Sequence, residues 1–335
     1  MLDYGVSAAL PSAALRILVV RLGAMGDVIH AMPAVASLKH SHPDSHLTWI
    51  VEPRWAPLLE GNPFVDGVLL LDRDTPAGLF RSWRALHAEE YDLAIDFQGL
   101  VKSALAASAA KPNRIFGFDP SQVRERAAAL FYTNRIASAS PHVVDRNLDL
   151  AAAAGASHRL LTFPLPPGRP EGHLPDADFV LACPLAGWGA KQWPIASYGA
   201  LAGRLRRELD MPLVLNGPPG SWFSEAPGAL LHESGLPGLI HATRLAAAVV
   251  GVDSGPLHLA AALGKPGVAI FGPTDPARNG PYGGSIDVLR APGMSTTYKR
   301  GAAIDASMRQ ISPDAVFAEL RLALERRRPR ARCLA

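Results

Sequence analysis

The chain has 335 residues, more than one small module needs and enough for two domains with cores of their own. Apolar residues supply 48% and charged residues 19%, against globular norms of roughly 45–50% and 25%, which excludes wholesale disorder. Thirty-three basic and thirty acidic residues leave a formal charge of +3, too balanced for a typical nucleic-acid-binding surface.

In chain order, the first fifteen residues carry Asp3 and no basic region ahead of a long apolar run, so they do not read as a signal peptide. An apolar run, Leu15 to Val20, reads as a buried strand; a glycine turn, Arg21 to Gly26, leads into a helix over Val28–Lys39, whose Pro33 must sit in the first turn or kink it. Further strands are expected at Leu47–Glu52, Val68–Asp72, Asp92–Phe97 and Arg114–Phe118. Helices are expected at Leu79–Glu90, Val101–Ala109, Arg124–Phe131 and Val143–Ala154. The run Pro164-Leu165-Pro166-Pro167-Gly168-Arg169-Pro170 neither extends a helix nor enters a central strand and reads as a domain linker. Alternation then resumes. Strands are expected at Phe179–Cys183, Pro212–Leu215, Leu230–His232, Val249–Val252 and Val268–Phe271, and helices at Ser197–Leu209, Leu236–Ala248 and Pro256–Leu263. A last helix opens at Ser312 and Pro313 and runs towards Arg326. Repeated strand–helix units imply doubly wound parallel sheets, here two α/β domains (residues 1–165 and 166–311) with a terminal helix and basic tail (312–335). A cleft between the domains is the expected site.

No window approaches roughly 18 uninterrupted apolar residues, which excludes a spanning helix. Two cysteines, Cys183 and Cys333, are too few for a disulfide framework or a structural zinc site, so a reducing cytoplasm is the expected compartment. The tail arginines Arg326, Arg327, Arg328, Arg330 and Arg332 raise the pI to about 9.0 and can attract an anionic membrane surface or form a solvated tail.

Four loops at strand ends carry candidate chemistry. Gly23-Ala24-Met25-Gly26-Asp27 follows the first strand, but its spacing is not GxGxxG, which disfavours a dinucleotide-linked dehydrogenase. Asp27 is either a functional carboxylate or a residue that favours the helix dipole. In Val252-Asp253-Ser254-Gly255-Pro256-Leu257-His258 a strand end meets a helix start, whose free amides suit a diphosphate; the alternative is an ordinary turn with a structural histidine. Ala186-Gly187-Trp188-Gly189-Ala190-Lys191-Gln192-Trp193-Pro194 offers a lysine for a phosphate, or a solvated lysine beside packing tryptophans. Phe271-Gly272-Pro273-Thr274-Asp275-Pro276 and Gly280-Pro281-Tyr282-Gly283 read as turn-rich punctuation.

Together, Arg21 to Pro33, Lys191-Gln192-Trp193-Pro194, Gly251 to Ala262 and Phe271 to Pro276 resemble the ADP-heptose:lipopolysaccharide heptosyltransferase family, over nearly the whole chain. Asp96-Phe97-Gln98-Gly99-Leu100-Val101-Lys102-Ser103 and Arg124 to Tyr132 resemble the branch called heptosyltransferase I. The resemblance implies a GT-B fold of two Rossmann-like domains, with acceptor in the first and nucleotide sugar in the second. It also implies inverting transfer of L-glycero-D-manno-heptose from ADP-heptose to the Kdo of Kdo-lipid A, with ADP-heptose as co-substrate and neither cofactor nor metal. A cytoplasmic monomer peripheral to the inner face of the inner membrane, with no nucleic-acid partner, is the matching expectation. By motif position Asp27 matches the catalytic base, Lys191 the phosphate-binding lysine, and Asp253, Ser254, Gly255 and His258 the donor turn, with Gly187 beside the lysine. Gly26, Lys102, Arg124 and Arg126 are candidate acceptor contacts, the three cations because the acceptor is anionic, though they equally suit a solvated face.

A carboxylate is ionised at neutral pH and can accept the acceptor's proton, while Lys191 and helix-terminal amides can take the charge of departing ADP. A heptosyltransferase II-like acceptor, or a non-catalytic nucleotide-sugar-binding protein, are the alternatives that the motifs leave open.

Overall fold

Ile17 to Val20 are fully buried on both faces, as a central parallel strand requires. The computed structural model describes residues 14–220, 226–293, 296–297 and 300–327. In its first half β1 (Arg16–Val20) leads to α1 (Met25–Ser41), β2 (His46–Val51), β3 (Gly67–Leu70), α2 (Pro76–Leu86), β4 (Leu93–Asp96), α3 (Val101–Ala109), β5 (Arg114–Phe118), β6 (Asn134–Ile136) and α4 (Val143–Ala153). All six strands run parallel in the order β3-β2-β1-β4-β5-β6.

The second half repeats the plan. It contains β7 (Val180–Cys183), α5 (Ile195–Leu209), β8 (Leu213–Gly217), β9 (Leu230–Glu233), α6 (Leu236–Leu245), β10 (Ala248–Val252), α7 (Gly255–Ala262), β11 (Gly267–Phe271), α8 (Pro276–Asn279), β12 (Ile286–Arg290), α9 (Ala306–Gln310) and α10 (Pro313–Arg327). Its parallel sheet has the order β12-β11-β10-β7-β8-β9, the same topology as the first. Strand order reverses at β1 and at β7, so each sheet opens a crevice at its carboxyl edge there.

The segment between the halves is irregular and is fixed by backbone contacts: Arg244 on α6 donates to the Leu165 and Pro166 carbonyls at 2.7 and 3.0 Å. Gly168 lies at φ +76°, where a Cβ would stand 2.5 Å from the Pro237 carbonyl, so only glycine fits. The terminal helix α10 is not an appendage. Its Val316, Phe317 and Leu320 join Val180, Val250 and Ile270 in the core of the second half.

Helix α1 begins at Met25, so Pro33 occupies its ninth position rather than its first turn, and the helix continues through it. Residues 25–38 of α1 are buried almost all round, the mark of a helix packed on every side: α4 and its own sheet lie on one flank and α7, from the second half, on another. The stretch expected as a helix over Arg124–Phe131 is instead a short 3-10 turn, Arg126–Phe131, with the Arg124 and Glu125 amides bonded to the Gly99 carbonyl. Strands β6 and β12 complete the sheets where no strand was expected. Of the basic tail, Arg326 pairs with Asp287; Arg328, Arg330, Arg332 and Cys333 lie outside the described residues, as does Asp3.

Candidate active site

The turn after β1 is built around a buried arginine. Arg21 is 6% exposed; its Nη1 donates to the Phe97 carbonyl and its Nη2 pairs with Asp27 Oδ1 at 2.7 Å. The second oxygen of Asp27 accepts the Ala24 amide at 3.2 Å, so a residue in the first turn of α1 has its carboxylate oriented from two sides. That side chain stays 36% exposed, with a face open to a substrate. The Leu22 amide donates to Gln98 Oε1 at 2.7 Å, which ties the turn to the end of β4. At Gly23 a Cβ would stand 2.5 Å from Trp55 Nε1, so the indole closes over bare backbone.

Next to this turn, Glu52 is 8% exposed and holds three cations: Arg73 at 2.6 Å, Arg54 at 2.9 Å and Lys102 at 3.2 Å. Burial works to raise its pKa, but the bonds from Arg73, Lys102 and Arg54 prevail and hold it below the usual range. Lys102 therefore sits in a basic cluster at the carboxyl edge of the first sheet. Arg124 and Arg126 are exposed and do not join it.

Asp96, at the end of β4, builds the loop rather than facing a substrate. Fully buried, it accepts from the Tyr132 hydroxyl at 2.7 Å, the Ser103 hydroxyl at 2.8 Å and the Gln98 amide at 2.8 Å. Burial pushes its pKa up against those bonds.

In the second half, the loop after β7 and the turn after β10 meet at the reversal point. Lys191, 9% exposed, donates to Asp253 Oδ2 at 3.0 Å, and its Nζ lies 4.2 Å from the centre of the Trp188 ring. Asp253 Oδ1 stands 3.7 Å from His258 Nε2, too long for a good hydrogen bond. Burial opposes ionisation of Asp253, yet His258 and Lys191 hold its pKa down at about 2. Ser254 caps α7 with backbone geometry alone; its buried hydroxyl has no hydrogen-bond partner. The same is true of His258 Nδ1, Trp188 Nε1 and, at the end of neighbouring β11, Thr274 Oγ1. Buried polar atoms without partners are rare, and here several border the carboxyl edge of three adjacent strands. A Cβ on Gly187 would meet open space, whereas one on Gly189 would overlap the Ala302 carbonyl.

The two halves close on each other at α1 and α7. A Cβ on Gly26 would overlap the His258 ring, and one on Gly255 would lie 2.7 Å from Met25 Cβ, so paired glycines let the helix starts approach. Behind them His30 packs on His258 with ring centres 4.3 Å apart and on His142 at 5.7 Å. His142 donates from Nε2 to the Gly280 carbonyl at 3.1 Å, and the Tyr282 hydroxyl donates to Asp145 at 2.9 Å, so the loop expected as punctuation is an interdomain tie. Burial first, then His258, His142 and Arg21, press the pKa of His30 well below its usual value; burial lowers His142 as well.

Sequence reasoning gave no individual role to Arg21, Glu52, His30 or His142, although Arg21 and His30 lie within the Arg21–Pro33 motif. Arg21 was legible as a lone cation directly after an unbroken apolar strand, and His30 as the residue one helical turn from Gly26; the pairings of Glu52 and His142 are long-range and leave no local signal. Among the described residues no group of three or more His, Cys, Asp or Glu is arranged to hold a metal ion, and no helix is long and apolar enough to cross a membrane.

Two Rossmann-like halves whose reversal points face each other, one offering a carboxylate and the other a lysine beside a helix N-terminus, make up a glycosyltransferase of the GT-B fold. The chain belongs to glycosyltransferase family 9 (heptosyltransferase), whose model matches residues 79–303. It is 32% identical over 305 residues to lipopolysaccharide heptosyltransferase 1 of Pseudomonas aeruginosa, covering 81% of this chain and 82% of that protein. To the protein of that name from Escherichia coli K12 it is 30% identical over 319 residues, covering 83% and 94%. Among solved structures, E. coli heptosyltransferase WaaC with ADP is similar with a TM-score of 0.73 and 27% identity, over 90% of this chain and 98% of that one.

Proposed function

We propose that the protein transfers L-glycero-D-manno-heptose from ADP-heptose to the Kdo of Kdo-lipid A in lipopolysaccharide core synthesis, with inversion at the anomeric carbon and without a metal ion. The similarity to proteins named lipopolysaccharide heptosyltransferase 1 and to a structure holding ADP supports the donor and the reaction class. The observation that carries the reading is the unpartnered, buried Ser254 hydroxyl at the start of α7, beside the Lys191–Asp253 pair and next to Gly255, which meets Met25 of the facing helix.

In this reading the donor's diphosphate lies at the α7 N-terminus, where Ser254 and the Gly255 amide donate to it and Lys191 neutralises it. Asp253 and the Trp188 face hold the lysine in place before the donor arrives. Asp27 takes the proton from the attacking acceptor hydroxyl. The new oxygen–anomeric carbon bond forms as the bond to the β-phosphate oxygen breaks on the opposite face, and ADP leaves with that electron pair. Arg21 fixes the direction in which Asp27 presents its free lone pairs. Lys102, with Arg73 and Arg54, is placed for the acceptor's anionic groups, Glu52 meanwhile keeping the cluster together. In this reading the electrostatic work of the site falls to protein groups: a lysine and helix amides stabilise the leaving group in the role a metal ion has elsewhere.

The test is mass spectrometry of the product from ADP-heptose and Kdo₂-lipid A, with and without EDTA. One heptose added to the Kdo at an undiminished rate in EDTA is expected. Heptose appearing only on an already heptosylated acceptor, or a rate abolished by EDTA, overturns the acceptor or the metal-independent mechanism respectively.

A further inference from the structure

Helix α2 differs from a surface helix that hides its apolar side. It buries only the stripe Gly78, Ser82 and Leu86, while Leu79, Phe80 and Trp83 stand 52, 60 and 50% exposed. At 100° per residue those three share one arc, and the Phe80 and Trp83 rings stack with centres 6.2 Å apart. Arg84 and Arg81 border the arc on the side away from the buried stripe, Arg81 also pairing with Asp72 at 3.3 Å with most of its side chain exposed, and the helix carries no acid. Single exposed apolar residues are ordinary, but two aromatics and a leucine within two turns form a patch that calls for an occupant.

Position and charge select it. Helix α2 starts at the carboxyl edge of the first sheet, the edge that also bears Asp27, and Arg73, three residues before α2, is bonded to the Glu52 that holds Lys102. The start of α2 therefore lies on the same edge as the basic cluster assigned to the acceptor. An apolar wedge with flanking arginines is the pattern of a helix lying in a bilayer interface, where aromatic rings enter the headgroup region and cations meet anionic lipids. We propose that α2 docks the protein on an anionic membrane surface, with Phe80 and Trp83 as the wedge and Arg81 and Arg84 as the charge contacts. The proposal rests on the reading that the acceptor is lipid-linked. It assigns to α2 the membrane contact that the sequence suggested for the tail arginines.

The test is flotation of the full chain with vesicles of phosphatidylcholine alone or containing about 30 mol% phosphatidylglycerol, in low and high salt. Salt-sensitive binding to the anionic vesicles is expected. Phe80→Ser with Trp83→Ser, and separately Arg81→Gln with Arg84→Gln, should each weaken it by about tenfold or more. Both double variants should retain the wild-type melting temperature and wild-type transfer to an acyl-free acceptor saccharide, yet lose transfer to acceptor embedded in vesicles. Wild-type vesicle binding by the double variants, or no binding to anionic vesicles at all, overturns the proposal. So does a dimer in sedimentation that dissociates on Phe80→Ser with Trp83→Ser, since a second copy is then the occupant. Intact vesicle binding without transfer to either acceptor overturns the heptosyl-transfer reading instead and leaves the docking surface standing.

Discussion

Asp27 and Asp253 are both acids at strand ends held by a cation, and their surroundings separate their tasks. Asp27 keeps an open face and is the only carboxylate placed at the start of α1, so Asp27→Asn should lower kcat by about 10²–10⁴-fold while leaving ADP affinity within about twofold, as calorimetry would read. Asp253 is enclosed, and its ionised form is part of the folded state. Its pKa is about 2 in the fold against an ordinary 3.8, so the stability it supplies, about 2 kcal/mol, is present above pH 4 and lost as pH falls towards 2. Asp253→Asn should therefore be less stable than wild type at pH 7 by about that amount in urea unfolding, and the gap should narrow below pH 4. Lys191→Ala should weaken ADP binding and slow transfer together, and unchanged kinetics would count against its phosphate role. These residues were legible because each lies in a short motif directly after a strand. Glu52 was not: its meaning comes from Arg73 and Lys102, 21 and 50 residues away.

At the scale of elements, the two helix starts depend on glycines that no side chain can replace. Gly26→Ala would drive a methyl group into the His258 ring, and Gly255→Ala one into Met25, so each should destabilise the protein by about 1–3 kcal/mol and reduce activity by opening the α1–α7 contact. Urea melts and steady-state rates on the same preparations check this; alanine tolerated at both positions would show that the helices need not touch. Tyr132→Phe removes a hydroxyl from buried Asp96 and should cost about 1–3 kcal/mol by the same measurement. Most strands and helices were legible from apolar runs and glycine turns, including the repeated plan of the two sheets. The failures share a cause. Strands β6 and β12 are short edge strands of mixed exposure, with no alternation to read, and Arg126–Phe131 looked helical by composition but is drawn into a 3-10 turn by the backbone bonds of its leading residues to Gly99. At Pro33 the first-turn alternative fails because α1 already starts at Met25, and packing on both flanks carries the helix past the missing amide.

At the scale of the whole molecule, the proline segment and the cluster His30, His142 and His258 join two units that each have a complete sheet. The proline run stood out in the sequence as a composition break; the histidine cluster did not, since its members come from α1, the N-cap of α4 and α7 and meet only when the units do. Its titration bears on how the units stay together. His30 is surrounded by His258, His142 and Arg21, all cationic or able to become so, with Asp253 paired to Lys191 and Asp145 engaged by Tyr282 and Arg159. Depressed histidine pKa values mean that the unfolded or separated state binds protons more readily than the closed one. The resulting stability is full above the ordinary pKa of 6.5 and is lost as pH falls below it, each unit of depression amounting to about 1.4 kcal/mol. Lowering the pH from 7.5 to about 5.5 should therefore reduce the melting temperature and loosen the α1–α7 contact before any carboxylate pairing fails. His30→Asn, which cannot acquire a proton, should flatten that part of the pH profile even if its melting temperature at pH 7.5 is lower. A wild-type slope retained in His30→Asn would assign the pH dependence to groups outside the interface.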